Sequence, residues 1–273
     1  MSSATIPATK PQQTPPGQMK PVPATPAAKL QPKEHGAYAI LGIPLATALL
    51  IAGPTLTGVC VAIAATAGFV AHEPLLVAWG LRGTRAQRNT PAAKQRLAGL
   101  LSVSVICGSV ALVLGSTAVR VSLLGCLVLA VVGFALALAG KHRSLWGQLW
   151  GVVGLSATCL PILFAGGMPL GQVIDIWLVW LLGFTATTLA VRGVIAAQKR
   201  RPRSIYLALF GLLTVALVGL AFGSHPRVLV VLPMWAMSVY VLTWPPPAKY
   251  LWRVGWSSLG CTLTTAAALL VVG

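Results

Sequence analysis

Residues 56–96 read LTGVCVAIAATAGFVAHEPLLVAW followed by GLRGTRAQRNTPAAKQR, and the junction between these two strings decides the fold. The first is apolar for more than the ~20 residues that a helix rising 1.5 Å per residue needs to cross ~30 Å of hydrocarbon. The second carries Arg82, Arg85, Arg88, Lys94 and Arg96 and no acid. A span-length apolar helix that empties into a short, purely basic loop marks a polytopic membrane protein, in which Lys and Arg gather on the cytoplasmic side.

The alternation continues in both directions. Apolar runs cover Ala37–Ile51, Leu56–Trp79, Leu97–Leu114, Ser122–Ala139, Trp146–Ala165, Leu170–Val191, Ile205–Phe222, Val228–Thr243 and Val254–Val272, so the expected fold is an all-α membrane bundle of about nine helices. Charge tests the count. With nine spans, the N-terminal segment and the loops Arg82–Arg96, Lys141–Arg143, Arg192–Arg203 and Lys249–Arg253 share one side and hold every Lys and Arg except Arg120 and Arg227. One interior span more or fewer would scatter the charges over both faces. The expected location is therefore the bacterial cytoplasmic (inner) membrane, with the N-terminus and basic loops in the cytoplasm and the C-terminus outside.

Composition agrees. The chain is 56% hydrophobic and 8% charged, where a soluble domain carries roughly a quarter charged residues. Its net charge of +17 would suggest nucleic acid in a soluble protein. Here no soluble domain exists to present a groove-reading element, so the expected partners are anionic membrane lipids and no nucleic acid. Residues 1–32, rich in Pro, Thr, Ala and Gln and free of acids, read as a disordered cytoplasmic tail. Residues 33–273 read as a single transmembrane helical domain. Arg82-Gly83 with Ala86-Gln87-Arg88 echoes Arg192-Gly193 with Ala197-Gln198-Lys199-Arg200, and Gly36 and Thr47 echo Gly147 and Thr158. These echoes suggest a four-plus-four helix repeat, 37–139 and 146–243, with a ninth helix after it. The five cysteines all lie in apolar runs and read as small packing residues.

Polar residues in such a chain mark candidate sites. Two of the three acids and two of the four histidines form the pairs Glu34-His35 and His72-Glu73. Glu73 lies about two helical turns, ~10 Å, inside the expected end of the second span. A carboxylate at that depth is a functional candidate by default, and its rival role is to fasten two helices through an arginine. Pro74 is expected to kink the span and open a polar pocket. His35 and Glu34 sit at the water boundary, where capping of the first helix competes with ligand binding. Arg82 and Arg192 lie at expected helix ends, with Arg85 close by, and guanidinium groups bind phosphate in bidentate fashion. Thr185, Thr188 and Arg192 fall on one helix face. Arg200, Arg201 and Arg203 read as topology determinants. The candidate ligand-binding set is thus His35, His72, Glu73, Arg82, Arg85, Thr188 and Arg192, with no metal and no cofactor. Asp175, towards the opposite face, is expected to pair with Arg120 or Arg227.

Lys33-Glu34-His35-Gly36-Ala37-Tyr38 and His72-Glu73-Pro74-Leu75-Leu76-Val77 with Arg82-Gly83-Thr84-Arg85-Ala86 resemble the YwiC-like family of bacterial membrane proteins, from about Pro32 onward. The resemblance implies a membrane-helix architecture and brings no activity with it. More remotely, the nine-helix plan with enlarged loops after the second and sixth helices resembles the UbiA prenyltransferase superfamily. That superfamily holds a prenyl diphosphate through Mg²⁺ on Asp-rich motifs in those loops. Neither loop has an Asp or Glu here, and Mg²⁺ needs carboxylate ligands, so no catalytic residue carries over. Three functional readings follow: a protein binding an anionic isoprenoid or phospholipid at a cytoplasmic-side pocket, a transporter of a small anion or proton-coupled solute, and a non-catalytic assembly subunit.

Overall fold

The computed structural model describes residues 35–272; the expected tail at 1–32, Glu34, Gly273 and the His35 side chain lie outside the described residues. Among the described residues eleven α-helices follow one another: α1 (His35–Ala52), α2 (Leu56–Ala78), α3 (Thr84–Asn89), α4 (Ala92–Leu114), α5 (Thr117–Leu138), α6 (Leu145–Ala157), α7 (Cys159–Ala165), α8 (Leu170–Gln198), α9 (Ser204–Phe222), α10 (Leu232–Thr243) and α11 (Leu251–Val272). Short 3₁₀ turns precede α6, α10 and α11. Among the described residues there is no strand. The chain is an all-helical, multi-pass membrane protein.

Among the described residues, eight helical stretches are long and apolar enough to cross a bilayer, and the apolar part of α1, Gly36–Ala52, is shorter. The expected nine is thus eight span-length helices and one short one. Gly53, at φ +78, and Pro54 stop α1 early. The fifth span is broken into α6 and α7 at Thr158. Pro161 has no N–H to offer the carbonyl of Ala157, and the Cys126 thiol of α5 donates to that oxygen instead, at 3.4 Å. α2 is continuous through Pro74. The sixth span also runs on to Gln198, since Gly193 to Ala197 contains nothing that ends a helix. Arg192 therefore lies inside α8 rather than at its end.

Hydroxyls start several helices. Thr55, Ser116 and Ser144 accept from Gly58, Val119 and Gly147 N–H groups at the starts of α2, α5 and α6, satisfying amides that have no partner within the helix. Gly166, between α7 and α8, lies so close to α1 that a Cβ on it would stand 2.7 Å from the Ala52 carbonyl oxygen. The core runs along α8, whose buried residues extend from Val173 to Ala196 and include the fully enclosed Trp180. The faces of α4, α5 and α9 are apolar and open, as a lipid-facing rim must be.

Hydrogen bonds show how the ends are assembled. Arg192 reaches Gln148 and the Arg143 carbonyl, Gln198 donates to the Pro246 carbonyl at 3.2 Å, and Arg203 donates to the Leu242 carbonyl at 3.1 Å. His72, near the end of α2, lies against Phe134, near the end of α5, with ring centroids 5.7 Å apart. The four described basic loops therefore gather at one end of the bundle. Both exceptions have local tasks. Arg120 donates to the Leu112 and Val113 carbonyls at 2.9 and 3.2 Å, closing the C-terminus of α4, where the helix dipole favours a cation. Arg227 faces Asp175 at 4.0 Å.

Candidate functional site at the basic end

The end of α2 builds the site. Gly80, at φ +74, lets the chain reverse: its N–H bonds the Val77 carbonyl and the Leu81 N–H bonds the Leu76 carbonyl, each at 3.0 Å, a glycine-dependent helix stop. The turn throws Arg82 back along α2 onto Glu73. Arg82 Nε donates to Oε1 at 2.9 Å and Nη2 to Oε2 at 2.8 Å. This fork is the strong bidentate geometry of an arginine on a carboxylate. The Glu73 side chain is 4% exposed and that of Arg82 28%, so the carboxylate is interior and the guanidinium reaches towards the rim. Gln87 of α3 donates to the Ala78 carbonyl at 2.7 Å and holds the short helix over the end of α2. Arg85 and Arg88, on α3, are exposed.

The remaining candidates occupy the same end on other elements. His72 is half-buried against Phe134. Thr188 is half-buried on α8. Arg192, one turn further along α8, donates from Nε to Gln148 Oε1 at 2.6 Å and also to the Arg143 carbonyl. It thereby staples α8 to the start of α6. Arg82 and Arg192, expected to converge on one ligand, are held by hydrogen bonds to different helix groups.

Along α2 runs an open apolar cleft of about 490 Å³, lined by Leu49 of α1, Leu100 of α4, and α2 residues that include Ala62, Thr66 and Val70. The Thr66 hydroxyl is turned onto the Ala62 carbonyl at 2.8 Å, so the wall stays apolar. Val70 is less than one turn from Glu73. The cleft thus lies on the pair of helices, α2 and α4, that the basic loop connects.

At the opposite end, where sequence reasoning paired Asp175 with Arg120 or Arg227, it missed His225. Asp175, buried on α8, meets His225 Nδ1 at 2.5 Å, with Arg227 further off. The signal was present in Ser224-His225-Pro226-Arg227, which the span count places at the same end as Asp175. Arg120 is engaged elsewhere, so of the two expected partners Arg227 is the one that faces Asp175. Among the described residues, no three His, Cys, Asp or Glu side chains are grouped to hold a metal ion.

Residues 31–163 match the model of a family described as YwiC-like protein. No curated protein and no solved structure matches the chain. The matched stretch spans α1 to α7 and holds both the Glu73–Arg82 fork and the cleft. The protein is thus a multi-pass membrane protein whose residues 31–163 are similar to the YwiC-like family.

Proposed function

We propose that this protein binds an anionic lipid at its basic end, which faces the cytoplasm. The chain of the lipid lies in the cleft along α2, and its phosphate head meets Arg85 and Arg88 of α3 beside Arg82. One observation carries this reading: the open apolar cleft and the folded basic loop belong to the same helix pair. Burial of the chain supplies most of the affinity, at ~0.8 kcal/mol per CH₂. Each exposed arginine near the head adds about 1 kcal/mol. Glu73 has a positioning role, fixing the plane of the Arg82 guanidinium. Thr188 and Arg192 line the same end on α8 and serve the bundle beside the head rather than the chain.

The head is bound without Mg²⁺, because residues 80–96 contain no carboxylate to hold one. The same lack argues against a UbiA-type transferase. Transport would need a polar path through the bundle, whereas the core is built of residues such as Leu45, Ile162, Leu163, Val179 and Trp180. The test is binding of a polyprenyl phosphate with EDTA present, for the wild type, Arg85→Ala/Arg88→Ala and Ala62→Trp. We expect wild-type binding to persist in EDTA, the double variant to weaken it about tenfold or more, and the cleft-filling tryptophan to abolish it. Binding that needs a divalent ion, or that ignores Ala62→Trp, would overturn the reading.

A further inference from the structure

Cys60 lies on α2 and Cys107 on α4, helices that pack antiparallel along their lengths. Ser104 sets their register: its hydroxyl donates to the Ala64 carbonyl at 2.9 Å. In an antiparallel pair, one turn back along the first helix matches about one turn forward along the second. From Ala64 and Ser104 that step lands on Cys60 and Cys107, which brings the two thiols together across the helix pair. Both cysteines are half-buried, and Cys60 follows Val59 of the cleft wall in the chain.

We propose that Cys60 and Cys107 form a redox couple, an interhelical dithiol that a lipid-soluble two-electron oxidant of the quinone or diazene class converts to a disulfide tying α2 to α4. One sulfur, as thiolate, adds to the oxidant. The second sulfur then displaces the reduced oxidant and forms the S–S bond. Two S–H bonds are lost, two electrons pass to the oxidant, and the two protons end on the resulting hydroquinone or hydrazine. Proximity makes the second step intramolecular, which favours this pair over any encounter between distant thiols. A water-confined oxidant is excluded because the pair sits within the spans. The other neighbouring pair is shielded: Cys159 is fully enclosed, and the Cys126 thiol is committed to the Ala157 carbonyl. The couple stands independently of what the cleft binds.

The test uses the purified full chain in lipid nanodiscs, treated with diamide, a membrane-permeant diazene. Remaining thiols are blocked with N-ethylmaleimide, and a non-reducing digest is mapped by mass spectrometry. The expected result is a single new disulfide joining Cys60 to Cys107, lighter by two hydrogens, with Cys126, Cys159 and Cys261 left as thiols. Cys60→Ser should leave Cys107 reactive to maleimide after the same treatment. Wild-type protein that keeps both thiols under diamide, or that links any other pair, would overturn the proposal.

Discussion

Arg82→Ala and Glu73→Gln delete the same ion pair, yet their costs should differ several-fold. Arg82→Ala leaves a carboxylate that is 4% exposed without its counter-ion. Removing one partner of a buried pair costs about 3–5 kcal/mol. The 28% exposure of the arginine end argues for the lower figure, about 3 kcal/mol, because water reaches part of the site. Glu73→Gln instead leaves a guanidinium that can swing to the rim and hydrate, so about 1 kcal/mol is the scale of the loss. The combined Glu73→Gln/Arg82→Ala variant leaves no interior charge at this site and should recover most of what Arg82→Ala loses. At 2–4 °C per kcal/mol, Arg82→Ala should lower Tm by about 6–12 °C, and Glu73→Gln by about 2–4 °C. The nine tryptophans allow unfolding to be followed by intrinsic fluorescence in one fixed detergent. Equal losses for the two single variants, or a double variant no better than Arg82→Ala, would refute the idea that Glu73 is an interior charge neutralised by Arg82.

Three further outcomes are expected. A C-terminal alkaline-phosphatase fusion should be active and a C-terminal green-fluorescent fusion dark; the reverse would overturn the orientation. Gly166→Ala should destabilise the bundle by about 1–3 kcal/mol, because its Cβ would press on the Ala52 backbone; a thermal unfolding curve unchanged from wild type would show that α1 and α7 yield without cost. Asp175→Asn and His225→Ala should be non-additive in stability, with a coupling of about 0.5–3 kcal/mol; strict additivity in thermal unfolding would separate the two residues.

The fold was legible because lipid imposes two simple rules: spans must be apolar and long, and cations collect on one side. The gathering of the Arg82, Lys141, Arg192 and Lys249 loops at one end follows from those rules alone. Glu73 was legible as a candidate for the same reason, since a carboxylate inside a span needs a partner. Its choice of Arg82 was harder to read, because that choice depends on the Gly80 reversal rather than on proximity in sequence. Arg192 was misplaced at a helix end because nothing before Gln198 tells where the helix stops. The short α1 and the break at Thr158 depend on individual glycines and prolines, and Pro74 shows that a proline alone does not decide. The sequence put His225 at the same end as Asp175 without showing that the two touch, and the Cys60–Cys107 contact left no sign in it. Each is a meeting between helices, and apolar helices of similar composition carry no record of which faces they share or in what register.

The most direct test of the central claim is native mass spectrometry of the purified protein with EDTA present throughout. The account predicts an anionic lipid adduct on the wild type that survives chelation, is depleted in Arg85→Ala/Arg88→Ala and is missing from Ala62→Trp. A wild-type spectrum without any lipid adduct, or an adduct retained at full occupancy by Ala62→Trp, would contradict it.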